Sequence, residues 1–236
     1  MLTIRRAGER GHTSLGWLES YHTFSFGEYR DERYSGFRSL RVLNDDVIAP
    51  GKGFGAHGHR DMEILSYVLS GTLAHRDSTG DGHVLGPDEA QLMTAGNGVI
   101  HSEFNASASD AVHFLQIWIE PAVADLPPGY NQITCASSEK QGKLRLIAGP
   151  KEAADSRALA VHQNARIYAA VLTSSDRVTH EVASGRAVWL HCATGQVAVN
   201  DLSLMAGDGV AMTGESALVV NGAANGASEL LLFDLA

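Results

Sequence analysis

The stretch "AHGHRDMEILSYVLSGTLAHRDSTG", residues 56–80, sets His57 and His59 one residue apart at the entry to an apolar run. In a strand, side chains at i and i+2 lie on the same face. Both imidazoles then aim one way, into the interior if the strand belongs to a barrel. The run that follows, MEILSYVLSG (62–71), is one of several short apolar or alternating runs that glycines punctuate. Others are FRSLRVLNDDVI (37–48), HFLQIWIE (113–120), AVWLHCATGQVAV (187–199) and ELLLFDL (229–235).

Short runs with frequent turn signals predict an all-β fold, a sandwich or barrel, rather than alternating strands and helices. Glycine is abundant, 25 residues, and proline sparse, 6. Weak helical patterns occur only around 86–91 and 150–160. The chain has 236 residues, enough for one large domain or two of ~100 residues each. An echo favours two. "YVLSGTLAH" around Gly71 is answered by "LHCATGQVAV" around Gly195, and "LGPDEAQLM" around Gly86 by "MAGDGVAM" around Gly207. The offsets, 124 and 121 residues, are nearly constant, as a duplicated β unit requires. Three of the 6 prolines fall in PAVADLPPGYNQITCASSEKQG (121–142), which reads as a linker, or else as a long surface loop. The expected domains are 1–130 and 131–236.

The hydrophobic share is 44% and the charged share 19%, so a sizeable core is available. A formal net charge of -9, with no cluster of Lys and Arg, argues against a nucleic-acid surface. The N-terminal MLTIRRAGERGHTSLGW shows no apolar signal core, and no stretch approaches the ~18 apolar residues of a membrane span. Two cysteines, Cys135 and Cys192, suggest ordinary thiols in a reducing cytoplasm.

A second pair completes the pattern. In GNGVIHSEFN (96–105), His101 and Glu103 stand in the same i, i+2 relation. On neighbouring strands the two pairs would bring three imidazoles and one carboxylate together. That set suits one divalent Fe, Mn, Co, Ni, Cu or Zn and lacks the thiolates of structural zinc. A single strand histidine is more often a hydrogen-bonded structural residue; two matched pairs favour ligation. The other histidines of the 11 lack such a partner. His22 is read as a packing or surface residue with a place near the pocket as the alternative, and His75, opening HRDSTG, as an exposed turn residue.

GKGFGAHGHRDMEILSYVLSG (51–71) and MTAGNGVIHSEFN (93–105) resemble the two cupin motifs in the form found in the pirin family. WLESYHTFSFGEY (17–29) and LRVLNDDVIAPGKGFGAHGHRDMEI (40–64) extend the likeness through the N-terminal half. Gly96 and Ala90 depart from the general cupin consensus in the pirin manner. The resemblance implies a bicupin: two antiparallel jelly-roll β-barrels packed face to face, with metal in the first. It puts the ligands on His57, His59, His101 and Glu103, with iron foremost among the metals and Glu63 beside the site. Shifted by the echo offsets, these ligands land on Glu181, Ala183, Gly222 and Ala224, so the second barrel carries no ligand set and one metal per chain is expected.

The resemblance further implies a quercetin 2,3-dioxygenase-like enzyme that opens the heterocycle of a flavonol with O2 and releases carbon monoxide. Glu103 would be both ligand and base, and the substrate a planar aromatic small molecule in a pocket that Phe24, Phe26, Phe54, Phe104 or Phe114 could line. The alternative it carries is a non-enzymatic, iron-bearing redox sensor with a regulatory protein partner. A cytoplasmic monomer without direct nucleic-acid or membrane contact is expected in either case.

Overall fold

The computed structural model describes residues 1–78, 80, 82–153, 157–223 and 226–236. The elements are strands, apart from two 3-10 turns and one four-residue α-helix, Ser137–Lys140. The all-β class is therefore as expected. The first helical pattern is not realised, since 86–91 is a turn leading into strand Glu89–Thr94; of the second, 151–153 are turn and Leu159–Val161 is a strand, while 154–156 lie outside the described residues. Glu89–Thr94 supplies apolar residues, Ala90, Leu92 and Met93, that the sheet buries, which outweighs a weak helical pattern.

The chain divides into two compact units. One comprises residues 11–134 and 161–163; the other comprises 1–10, 135–160 and 164–236. Strand Gly129–Thr134 pairs antiparallel with Glu89–Thr94, so the stretch read as a linker from 121 contributes an edge strand to the first unit. The first strand of the chain, Leu2–Arg5, pairs instead with Gly209–Thr213 of the second unit.

The two units share the order of their inner strands and differ at the sheet edges. In the first, a seven-stranded antiparallel sheet runs Gly129–Thr134, Glu89–Thr94, Glu63–Ser70, Val112–Ile119, Leu40–Ile48, Leu18–His22, Gly11–Ser14. A four-stranded sheet, Gly53–His59, Val99–Asn105, Leu73–Asp77, His83–Leu85, accompanies it. In the second, the seven-stranded sheet begins Leu2–Arg5, Gly209–Thr213, Ala187–Thr194, Ser228–Leu235, Ala165–Leu172, and the four-stranded sheet runs Arg177–Glu181, Ala217–Gly222, Gln196–Val199, Leu202–Met205. The echo in the sequence has a structural counterpart. Gly71 and Gly195 close the same turn in each unit, at φ +78° and +73°, where the missing Cβ removes the left-handed penalty.

The interiors differ. Among the described residues, an apolar cluster of the second unit draws on both its sheets, including Val178, Leu190, Val210, Leu218, Val220 and Leu232. Smaller clusters of the first unit gather around Leu18, Ile48, Val68, Leu73, Leu85 and Phe114 and around Ile64, Met93, Ala95 and Val99.

The N-terminal strand of the second unit is locked by Asp208. Its carboxylate accepts from the Ala7 N–H at 2.7 Å, the Met205 N–H at 3.1 Å and Arg6 Nη1 at 2.7 Å. Burial alone would raise its pKa; these donors outweigh burial and hold it below the ordinary aspartate value. A depressed native pKa adds stability above the unfolded pKa, ~3.9, that is lost as pH falls through the native value. Asp208→Asn should therefore unfold more easily than the parent by ~1–3 kcal/mol at pH 7, with the gap closing below about pH 4. Denaturant titrations at pH 7 and pH 3 check this, and a pH-independent gap would contradict it.

Candidate metal centre

His57 and His59 lie on Gly53–His59, and His101 and Glu103 on the adjacent strand Val99–Asn105. The register sets His101 opposite His57 and Val99 opposite His59. Directly opposed residues share a face, so the three imidazoles converge. Their ligand atoms all lie within 4.8 Å of one another, the only such group among the described residues. His57 Nε2 and His101 Nε2 are 3.0 Å apart.

The donor set fits a cation. His57 Nδ1 lies 2.8 Å from the Gly55 carbonyl, which only accepts, so Nδ1 carries the proton and Nε2 offers a lone pair. Burial, reinforced by the neighbouring His57, pushes His59 down to about 4 and His101 to about 3, so both stay neutral at physiological pH. Neutral, converging imidazole nitrogens are what a transition metal requires and what protons alone satisfy poorly.

A β-bulge shapes the site. One residue, Ser102, separates His101 from Glu103, while two, Gly55 and Ala56, separate their partners His57 and Phe54. The extra residue turns Phe54 to the same side as His57, with the rings 6.4 Å apart, edge to face. Close approach of the strands there depends on Gly53, where a Cβ would collide with the Glu103 carbonyl.

Glu103 is 2% exposed and does not belong to the group of three. Its Oε1 accepts from Ser66 Oγ at 3.1 Å and Gln91 Nε2 at 3.2 Å, and its Oε2 from Gln116 Nε2 at 2.7 Å. Burial pushes its pKa up to about 7 against the opposing pull of the Ser66 and Gln116 bonds. These partners belong to a polar row in register across the seven-stranded sheet: His22, Asn44, Gln116, Ser66, Gln91, Gln132.

Glu63 is elsewhere. It sits on the same strand as Ser66 at odd spacing, hence on the opposite face of the sheet. It is fully buried and bonds Thr94 Oγ1 at 3.1 Å and His162 Nδ1 at 3.2 Å. The expectation that it stands beside the metal group is corrected by this alternation. His75 is also corrected: it is 2% exposed, not an exposed turn residue, and its Nε2 lies 3.0 Å from His101 Nδ1. The turn begins only after Asp77, so the strand periodicity through Leu73, His75 and Asp77 was the usable signal.

A cavity of about 600 Å³ opens beside the histidines. Its apolar wall is made by Trp17, Leu18, Phe26, Phe54 and Trp118. Trp118 meets His59 at 4.9 Å and Phe26 at 5.5 Å, both edge to face. Of the five candidate phenylalanines, Phe26 and Phe54 line it; Phe24 and Phe114 are core, and Phe104 is 40% exposed. His57, His59 and Glu103 line it, as do Ser20, His22, Asn44, Asp46 and Gln116. His22, read first as a packing or surface residue, is a wall residue bonded to Asn44 Oδ1 at 3.0 Å and Thr13 Oγ1 at 3.0 Å.

Comparison with known proteins decides the family. The pirin family profile matches residues 3–119, and the quercetinase C-terminal cupin domain matches residues 146–235. The quercetin 2,3-dioxygenase of Escherichia coli K12 is 43% identical over 235 residues, covering 100% of this chain and 99% of that one. The chain belongs to the pirin family. A solved relative of this pirin, the bacterial pirin YhhW of Escherichia coli in complex with nickel(II), superposes with a TM-score of 0.92 at 43% identity, covering 100% of this chain and 99% of that one. A quercetin 2,3-dioxygenase of Acinetobacter baumannii shares the fold, with a TM-score of 0.78 at 23% identity, over 98% of this chain and 85% of that one. The two units are thus pirin and cupin barrels. Of the positions that the echo offsets carry over from the four candidate ligands, Glu181 and Ala183 are exposed, Gly222 ends a strand, and Ala224 lies outside the described residues. The inward positions there are Val178, Leu218 and Val220 of the apolar cluster, and His180, bonded to Asp234 at 3.1 Å.

One transition metal ion per chain should bind this pirin. At a free metal concentration 100 times the dissociation constant, thermal scans should show stabilisation of about 2.7 kcal/mol. His57→Ala and His101→Ala should each abolish the calorimetric binding isotherm; a second equivalent, or binding unaffected by both substitutions, would contradict the site.

Proposed function

We propose that this chain is a metal-dependent dioxygenase that cleaves the heterocycle of a flavonol such as quercetin, taking up O2 and releasing carbon monoxide. The observation that carries the proposal is a cavity lined by two of the three converging imidazoles, His57 and His59, by the buried Glu103 carboxyl with its raised pKa and by an aromatic wall. The 43% identity to a quercetin 2,3-dioxygenase over the whole chain supports it. We propose His57, His59, His101 and Glu103 as ligands of one divalent metal in the N-terminal barrel, with iron as the native ion and nickel, manganese, cobalt, copper or zinc as competent occupants of the same donors.

When bound, the metal supplies Lewis acidity and redox access to dioxygen. The residues supply the rest. Trp17, Phe26, Phe54 and Trp118 take the planar ring system and exclude water from it. Glu103, two residues from His101 on the same strand face, accepts the proton of the substrate's 3-hydroxyl. A carboxyl whose pKa stands near 7 is matched to that task. Ser66, Gln91 and Gln116 hold its oxygens and stabilise the carboxylate before the substrate arrives. Asp46, bonded by Ser20 Oγ, and the His22–Asn44 pair face the same cavity and can receive the remaining ring hydroxyls. The two cysteines, Cys135 and Cys192, are buried, and no helix among the described residues is long and apolar enough to cross a membrane.

Turnover decides the proposal. Chain loaded separately with Fe, Mn, Co, Ni or Cu should consume quercetin and O2 and yield carbon monoxide, followed by loss of the flavonol absorbance and by gas analysis. His59→Ala and Glu103→Gln should each lower kcat/KM by at least ~100-fold. Metal binding without turnover on any of the five ions would overturn the dioxygenase reading and leave the redox-sensor alternative, which predicts partner binding that follows the oxidation state of the metal.

A further inference from the structure

We infer that His75 is the positioning residue of the metal centre, fixing the tautomer of His101 so that His101 turns a lone pair, not a proton, toward His57 and His59. The inference rests on the metal reading above and extends it to a residue outside the ligand set.

The argument is a count of protons. His57 carries its proton on Nδ1, because the Gly55 carbonyl 2.8 Å away can only accept. Its Nε2 lone pair faces His101 Nε2 at 3.0 Å. A neutral His101 then has two choices. With its proton on Nε2 it donates to His57, and the hydrogen bond closes the site to a cation. With its proton on Nδ1 it leaves two converging lone pairs, and it needs an acceptor on its other side. The atom there is His75 Nε2, at 3.0 Å.

His75 can accept only if its own proton is on Nδ1. That nitrogen is buried and has no hydrogen-bond partner among the described residues. It lies 3.7 Å from Asp77 Oδ2, with both side chains nearly inaccessible to solvent. The carboxylate's field favours the proton on the nitrogen that faces it. Asp77 thereby sets His75, and His75 sets His101, the arrangement by which a ligand's far nitrogen is fixed from behind.

The ring plane is fixed as well. Tyr130 stacks on His75 with centroids 5.1 Å apart and planes 24° from parallel, and His83 stacks on Tyr130 at 4.1 Å and 9°. The Tyr130 hydroxyl donates to Gln91 Oε1 at 2.9 Å, and Gln91 Nε2 donates to Glu103. His75 thus sits in a column that ends in the same polar row that holds Glu103.

Two measurements test this on the full chain. Histidine-selective 15N NMR, on metal-free and zinc-loaded protein, should find the His75 proton on Nδ1 in both states and the His101 proton on Nδ1 in the zinc-loaded state. A proton on His75 Nε2 overturns the inference. Titration calorimetry with Ni(II) should show that His75→Phe, which keeps the stacking and removes the acceptor, weakens binding on the order of 10- to 100-fold, while His75→Gln, whose amide oxygen can accept, recovers part of it. Affinity within about twofold of the parent for His75→Phe overturns the inference. A parent chain that takes up no metal ends the metal reading instead, and the tautomer of His75 in metal-free protein still decides this one.

Discussion

A buried carboxyl must be hydrogen-bonded or it must lose its charge, and the N-terminal barrel is organised around that constraint at Glu103. The donors that meet it, Ser66, Gln91 and Gln116, come from three adjacent strands and reach the carboxylate because they lie in one register row. A one-residue slip of any of these strands would turn its donor to the other face and leave a buried acceptor unpaired, at ~1–3 kcal/mol for each bond lost. The row continues through Asn44 to His22 and through Gln132 to the edge, and the same register that holds the carboxyl places Gln116, Asn44 and His22 on the cavity wall.

The second barrel shows what the topology does without that polar row. Its row through Leu190, 124 residues after Ser66, reads Val210, Leu190, Leu232, Tyr168. Leucine and valine at these places pack against Val178, Leu218 and Val220, and the space that is a cavity in one barrel is core in the other. The exchange of a few inward polar residues for branched apolar ones converts a binding barrel into a packing one while leaving strand order intact, since backbone pairing does not depend on which side chain fills the interior.

Paired strands carry the histidines and Glu103. The three histidines stand on two paired strands, the bulge at Gly55 and Ala56 turns Phe54 into the wall, and Gly53 allows the backbone of Glu103 to come close. Trp118 and Phe26 then meet edge to face beside His59. Such placement fixes the three imidazoles, the carboxyl and the aromatic wall relative to one another.

Sequence alone determined the all-β class and the duplicated plan, and it set His57 with His59, and His101 with Glu103, on one face of each strand, because a strand's period of two is written directly in the order of its residues. The convergence of the two pairs needed the pairing of their strands. Other features needed the third dimension. Phe54 lines the cavity only because a bulge breaks the period of two, and no residue pattern announces which strand will bulge. Glu63 follows the HxH pair at a suggestive spacing, yet alternation from Ser66 sends it to the other side of the sheet. His75 stands behind His101 through pairing with a strand 26 positions away, and Leu2–Arg5 completes a barrel whose remaining strands begin more than a hundred residues later. Those are long-range pairings, fixed by which strands bury one another's apolar faces, and local sequence carries little record of them.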